Sequence, residues 1–355
     1  MNICMLRRKL TIVFLCMFGT LSSLFLREQW ISSVARGRTP KHENITILLW
    51  HWPFGRSYSL SGDVCWDTYK IPGCLLTDKH TDFPRADVVV FHHHELKLGR
   101  YRLPLHLPRP PTQKWLWLSL ESPATNHHLA AYNGLFNWTM TYRRDADVFM
   151  PYGELLLKTT STDINIHGNK SSLACWVVSN YRPEHKRSNV YQNLRHLINI
   201  DVYGQWVRRH LSAQDLIPTI SHCFFYLAFE NSLYTDYITE KLWRNSFQAG
   251  TVPIVLGPPR SNYEALVPAS SFIHVEDFSS FEELAHFLEQ LASDRKRYLS
   301  YFEWRRQYDV KIYTDWRERL CNICRHYHHL PPKVYHNLDT WANWVDQKTG
   351  RTTQG

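Results

Sequence analysis

Four polar side chains, Tyr237, Glu240, Lys241 and Arg244, most of them suited to gripping an anionic ligand, crowd the stretch FENSLYTDYITEKLWRNSFQAG (229–250). It follows an apolar run that ends at Glu230-Asn231 and reads as a strand passing into a helix. A segment that only packed a core would have no use for these groups. A helix N-terminus presents unpaired N–H groups and the positive end of its dipole, a seat for phosphate. Lys241 would add a cation for a diphosphate, Glu240 could accept hydrogen bonds from sugar hydroxyls, and Tyr237 could stack on or bond a nucleotide. The competing reading is a solvated helix face with an i,i+4 pair between Glu240 and Arg244. Spacing alone leaves both open.

Three other groupings invite metal chemistry. Asp145 and Asp147 in YRRDAD have the DxD spacing by which metal-dependent glycosyltransferases hold a divalent ion and a nucleotide sugar. The triplet is common, and a structural pairing with Arg143 or Arg144 is the reading preferred here. His92, His93 and His94 would alternate faces on a strand, so at most two could converge; one facing an acceptor is reasonable, a three-histidine metal site is not. CNICRHYHH would supply half a zinc site, but the chain has no second CxxC. No metal site is expected.

The elements that must position these groups alternate. ITILLW (45–50), ADVVVFHHH (86–94), KWLWLSLESP (114–123) and DVFMPYG (147–153) read as strands, and the proline-rich LPLHLPRPPTQ as a loop between elements. A second series runs from ACWVVSN (174–180) through a helical segment around VYQNLRHLI to IDVYG, FFYLAFEN and TVPIVLG. In SFEELAHFLEQLASD, Ser280 can cap a helix with Glu283 three residues on. Strands alternating with helices in two series predict two doubly wound α/β domains with a cleft between them. The boundary is expected in the polar segment between Lys158 and Ser172, giving domains over 44–165 and 166–325 and a C-terminal segment over 326–355.

The 355-residue length suits two domains, and 44% hydrophobic content is ample for their cores. The net charge of +9 favours anionic partners, but no nucleic-acid module or basic arm is present, so nucleic acid is not expected. Leu10 to Leu26 is an uncharged run of 17 residues preceded by Arg7, Arg8 and Lys9. By the positive-inside rule it reads as a type II signal anchor, with residues 1–9 cytosolic, 27–43 a stem and the rest luminal. The alternative is a cleaved signal peptide, whose apolar core is usually shorter and followed by a small-x-small exit. A short span suits membranes of the early secretory route. Six luminal cysteines, Cys65, Cys74, Cys175, Cys223, Cys321 and Cys324, predict three disulfides in an oxidising lumen, with 15 pairings open. Asn44, Asn137 and Asn169 begin sequons and are candidate glycan acceptors, Asn137 in an apolar stretch.

The run from Phe229 to Phe278 closely resembles the donor-binding motif of the α-1,3-fucosyltransferases, and WHWPF, FHHHEL, ESP, YRRDAD, IPTI and TDWRERLCNIC also fit that family. Within it the ensemble is most similar to the leukocyte-type, sialyl Lewis x-forming members. The resemblance implies a GT-B fold, GDP-fucose as donor, inversion at the fucose carbon, and sialylated lactosamine on glycoproteins and glycolipids as acceptor. It implies a single-pass place in the Golgi membrane. No cofactor is expected to be required, a divalent cation at most stimulating. Lys241 and Arg187 match the diphosphate-binding pair. Glu240, Tyr237, Asn231 and Tyr226 match residues around fucose and guanosine, and Tyr152, Val177 and Ser179 fall at donor-site positions. Glu121 matches the proposed general base; read without the resemblance it is an exposed loop carboxylate. The related pattern suggests that Cys175 pairs with Cys223, and Cys65 and Cys74 with Cys321 and Cys324; local bridges are the rival. Arg100, Arg102 and Arg109 are candidates to meet a sialic acid carboxylate, by their place in the first domain. A different class remains in view, a lectin-like membrane protein without turnover; loss of Lys241, Glu121 or Arg187 would have favoured it, and all three are present.

Overall fold

The computed structural model describes residues 44–343 apart from 165, 167 and 168; the expected anchor and stem lie outside the described residues. Strands β1 (Ile45–Leu49), β2 (Cys74–Thr77), β3 (Val88–His92), β4 (Lys114–Ser119), β5 (Trp138–Thr141) and β6 (Val148–Phe149) form a parallel sheet in the order β2-β1-β3-β4-β5-β6. β7 (Gly153–Leu157) leaves it. β8 (Ser172–Val177), β9 (Ile200–Tyr203), β10 (Cys223–Phe229), β11 (Val252–Leu256) and β12 (Ile273–His274) then form a second parallel sheet, ordered β12-β11-β10-β8-β9. β13 (Tyr308–Ile312) returns antiparallel to β7.

The apolar runs explain the sheets. β3 is buried along its whole length, as a parallel strand covered on both faces requires. β4 sends Trp115 and Trp117 to one apolar cluster and Leu116 and Leu118 to the other, the period of two that divides a sheet's faces. β2 and β5 are only four residues each and were not distinguished in the sequence. Strand order reverses between β1 and β3 and again between β8 and β10. These are the switch points beyond whose carboxyl ends doubly wound sheets bind ligands.

Three expectations are corrected. The stretch 237–250 is not one amphipathic α-helix: a single α turn, Glu240–Leu242, passes into a π turn, Trp243–Gln248, where the Ser246 hydroxyl donates to the Lys241 carbonyl at 2.7 Å. The helix at 281–293 is capped by Ser280, which accepts from the Glu283 amide at 3.1 Å, but the Glu283 carboxylate turns back to Ser279 instead of closing the box on Ser280. The helix Trp316–His326 packs with the first sheet, so a domain limit at 325 parts it from its core: Trp316, Leu320 and Ile323 lie in one cluster with Ile47, Val90 and Leu118. Disulfides Cys65–Cys321 and Cys74–Cys324 fasten the same helix beside β2, and Cys175–Cys223 joins β8 to β10. The segment after it also returns to the first sheet, where the Tyr335 amide donates to the Phe136 carbonyl at 2.8 Å and Leu338 is buried.

Candidate active site

At the carboxyl end of β10 the apolar run stops at Glu230, which is 2% exposed. Its carboxylate accepts the Thr239 amide at 2.8 Å, the Thr239 hydroxyl at 2.9 Å and the Lys241 ammonium at 2.9 Å. Lys241 also donates to the Thr239 hydroxyl at 2.7 Å and to Glu240 at 3.2 Å. Burial opposes the charge on Lys241, yet the two carboxylates outweigh it and hold the ammonium well above its ordinary value. Burial also pushes Glu230 up, with Lys241 as the opposing influence. Glu240 is held below the usual carboxylate range, burial being outweighed by Lys241. The i,i+4 pair with Arg244 does not form; Arg244 donates to Asn245.

Across the switch point, the helix Lys186–Leu194 carries Arg187 to the carboxyl end of β8. Arg187 is 5% exposed, donates to the Asn180 carbonyl, and keeps its Nε without a partner among the described residues. The Asn231 Oδ1 is likewise buried and unpartnered. Burial lowers the Arg187 guanidinium while Glu230, Tyr237, Tyr226 and Glu240 favour its charge, which places it in the same local field as Lys241. Buried polar atoms left without partners are uncommon and point to a missing ligand. Arg187 at the end of β8 and Lys241 beyond the end of β10 are cations suited to meeting an anion, and the Asn231 Oδ1, an acceptor, is suited to a hydroxyl or N–H donor.

The predicted donor residues do not all face that site. Val177 is partly exposed and Ser179 exposed at the end of β8. Tyr226 is fully buried, and its hydroxyl accepts from Asn245 at 2.9 Å, so it supports the site from behind instead of lining it. Burial pushes that phenol up to about 12. Tyr237 is nearly buried and meets Tyr142 of the first half edge-on at 4.9 Å. Tyr152 donates to the Leu120 carbonyl at 2.6 Å, one residue before Glu121. Burial pushes both the Tyr152 and Tyr237 phenols well up, with Glu121, Glu230 and Glu240 adding to the shift.

Glu121 stands beyond the carboxyl end of β4, partly exposed. Its backbone is pinned on both sides: the amide donates to the Ser119 hydroxyl at 3.3 Å and the carbonyl accepts from the Asn126 amide at 3.0 Å. The halves are stitched around it by Ser122 to Ser232 at 3.0 Å and Arg144 to Asp236 at 2.8 Å, with Asp236 in the left-handed region at φ 62°. Glu230, Thr239 and Asp236 were missed in sequence; a carboxylate closing a long apolar strand was the available signal for Glu230.

The other groupings resolve as structural. Asp145 takes a two-pronged contact from Arg143 at 2.8 and 2.7 Å, and Asp147 is held by Thr139, Tyr335 and Lys333. His92 bonds Glu95, while His93 is buried between Trp117 and Tyr132. Cys321 and Cys324 are consumed by disulfides. Two expectations fall. Arg109 is committed to the Leu135 and Gln113 carbonyls and to Asn137 while stacking on Trp115, so it cannot meet an acceptor. Asn137 accepts from Trp115 at 2.9 Å and donates to Lys333 at 2.9 Å, so its amide is not presented for a glycan. Asn44 and Asn169 are exposed.

Two family models match, "Fucosyltransferase, N-terminal" over residues 42–153 and "Glycosyltransferase family 10 (fucosyltransferase) C-term" over 167–341. The chain is 46% identical to Alpha-(1,3)-fucosyltransferase 7 of Homo sapiens over 314 residues, 88% of this chain and 90% of that one. It is 44% identical to 4-galactosyl-N-acetylglucosaminide 3-alpha-L-fucosyltransferase 9 of Bos taurus over 305 residues, 86% of this chain and 84% of that one. A crystal structure of an alpha1,3-fucosyltransferase with GDP-fucose shares the fold at a TM-score of 0.53 and 17% identity, covering 82% of this chain and 92% of that one.

Proposed function

The chain belongs to glycosyltransferase family 10, the fucosyltransferases, and as an α-1,3-fucosyltransferase of that family we propose that it moves L-fucose from GDP-β-L-fucose to the 3-hydroxyl of N-acetylglucosamine in α-2,3-sialylated lactosamine, with inversion. The observation that carries this reading is the cationic, part-orphaned site of Arg187 and Lys241 at one switch point, with Glu121 beyond the carboxyl end of β4 in the other sheet.

Lys241 uses all three of its hydrogens on protein partners, the longest of them to Glu240. A diphosphate arriving there takes over that contact most readily, because Glu240 is the more exposed of its two carboxylates. Glu240 is then free to accept from fucose hydroxyls. Glu121 takes the proton of the 3-hydroxyl as its oxygen bonds to fucose C1 from the face opposite GDP. The bond from C1 to the phosphate oxygen breaks, and its electron pair leaves on GDP, where Lys241 and Arg187 meet the added charge. GDP leaves without protonation, so one carboxylate suffices where a glycosidase needs two.

The uncharged run at 10–26 supports a single-pass Golgi location with this site in the lumen; among the described residues no helix is long and apolar enough to cross a membrane. The test is an assay of the luminal fragment with GDP-fucose and, side by side, neutral and sialylated lactosamine, each with and without EDTA. Transfer favouring the sialylated acceptor and surviving EDTA is expected. No transfer to either would overturn the reading, and equal rates would remove only the sialic acid preference.

A further inference from the structure

The helix Leu338–Asn343 brings Trp341 and Ala342 to the carboxyl ends of β4 and β5, where they close a small cleft with Trp117, Asn126, Tyr142 and Glu121. This is far in sequence from every residue matched to the site above, and nothing in the motifs pointed to it. The indole is fixed in place. Arg143 lies over it at 4.6 Å and donates to the Trp341 carbonyl at 2.7 Å, Tyr335 meets it at 5.3 Å, and Trp117 approaches edge-on at 6.5 Å. Despite these neighbours Trp341 stays partly exposed, unlike Trp115 and Trp117, which are buried core. A rigid, partly bared aromatic surface beside the carboxylate that takes the proton is suited to the apolar face of a pyranose ring, because it offers contact area at little conformational cost.

We propose that Trp341 is a positioning residue for the acceptor, a platform on which the hexosamine or its attached galactose lies so that the 3-hydroxyl reaches Glu121. The C-terminal segment is thereby part of the acceptor site. Its anchors fit that role: Asn133 reaches Asp339 in the helix, while Lys333 reaches Asp147 and the Gly134 amide donates to the Tyr335 carbonyl in the segment before it, fixing both to the loops after β4 and β5. This rests on the transfer proposed above.

The test uses Trp341→Phe, Trp341→Leu and Trp341→Ala with calorimetric GDP binding and steady-state kinetics in both substrates. The acceptor KM should rise on the order of tenfold in Trp341→Ala and Trp341→Leu and less in Trp341→Phe, with the GDP-fucose KM and GDP affinity unchanged. A merely structural role would lower GDP affinity and thermal stability together and spare the acceptor KM. Hydrogen exchange on the unaltered protein gives a second reading: lactosamine added to the GDP complex should slow exchange across 338–343. Unchanged acceptor KM in folded variants, or no protection, overturns the inference. Failure of the unaltered protein to transfer fucose would instead overturn the proposed activity.

Discussion

Lys241 commits all three of its hydrogens to protein partners, and among the described residues it is the cation that ion-pairs with Glu230, so the two cannot be separated without consequence. Lys241→Ala should slow transfer by roughly a hundredfold, on the order of 3 kcal/mol, because the lost contact strengthens as GDP gains charge. It should also destabilise the fold, since a buried carboxylate is left alone. Adding Glu230→Gln should recover the melting temperature but not the rate; recovery of both would reduce Lys241 to a structural lysine. His93 makes a pH prediction. Burial pushes it down to about 3, with both ring nitrogens unpartnered among the described residues. The core accepts only the neutral ring, so its contribution is complete above the ordinary value near 6.5 and is lost as pH falls toward about 3. Unfolding free energy should fall through that window, by at most about 1.4 kcal/mol per pH unit from this group, and the melting temperature with it. His93→Phe should flatten the slope; an unchanged slope would assign acid lability elsewhere. Lys241 and Glu240 were legible because charge at a strand-to-helix turn is conspicuous, whereas Asp236 and Thr239 act through partners no spacing reveals.

The two disulfides of the helix Trp316–His326 test how that element is held. Cys65–Cys321 and Cys74–Cys324 close nearly the same long loop, spanning 256 and 250 residues. With one bridge intact, the other closes only about a dozen further residues. Removing either should therefore cost about 3 kcal/mol, and removing both more than twice as much. Strict additivity in denaturant midpoints would show that the helix is held by packing alone. Gly204, at φ +112°, faces the Val178 carbonyl so closely that a Cβ would sit 2.2 Å from it. Gly204→Ala should loosen the β8 end and weaken GDP binding at least tenfold; normal affinity would show that this strand end does not shape the donor site. Long apolar strands such as β3 and β4 were readable because burial on both faces leaves no polar interruption. β5 was hidden in a sequon, Asn137-Trp-Thr, and the π turn has no sequence signature beyond ordinary helix formers.

At the scale of the whole molecule, the proposed reaction is divided between two similar doubly wound halves: the second would hold the departing diphosphate and the first would supply the carboxylate. Their pairing was legible from two strand series, and the return of the helix Trp316–His326 to the first half from the cysteine pairing that the resemblance implied; the packing of Leu338 and Ala342 on that half was not, because only long-range contacts specify it. The chain's net charge of +9 also acts at this scale. Arg100 and Arg102 are exposed in the first half, and kcat/KM for a sialylated acceptor should fall more steeply with salt than for a neutral one. Parallel salt curves would remove the steering. The division of labour itself is tested most directly by Glu121→Gln, with GDP binding by calorimetry and initial transfer rates measured on the same protein. The amide keeps the shape of the loop that Ser119 and Asn126 pin but cannot take a proton. Transfer should fall on the order of 100- to 10,000-fold while GDP binding stays normal; an unchanged transfer rate would show that Glu121 is not the base.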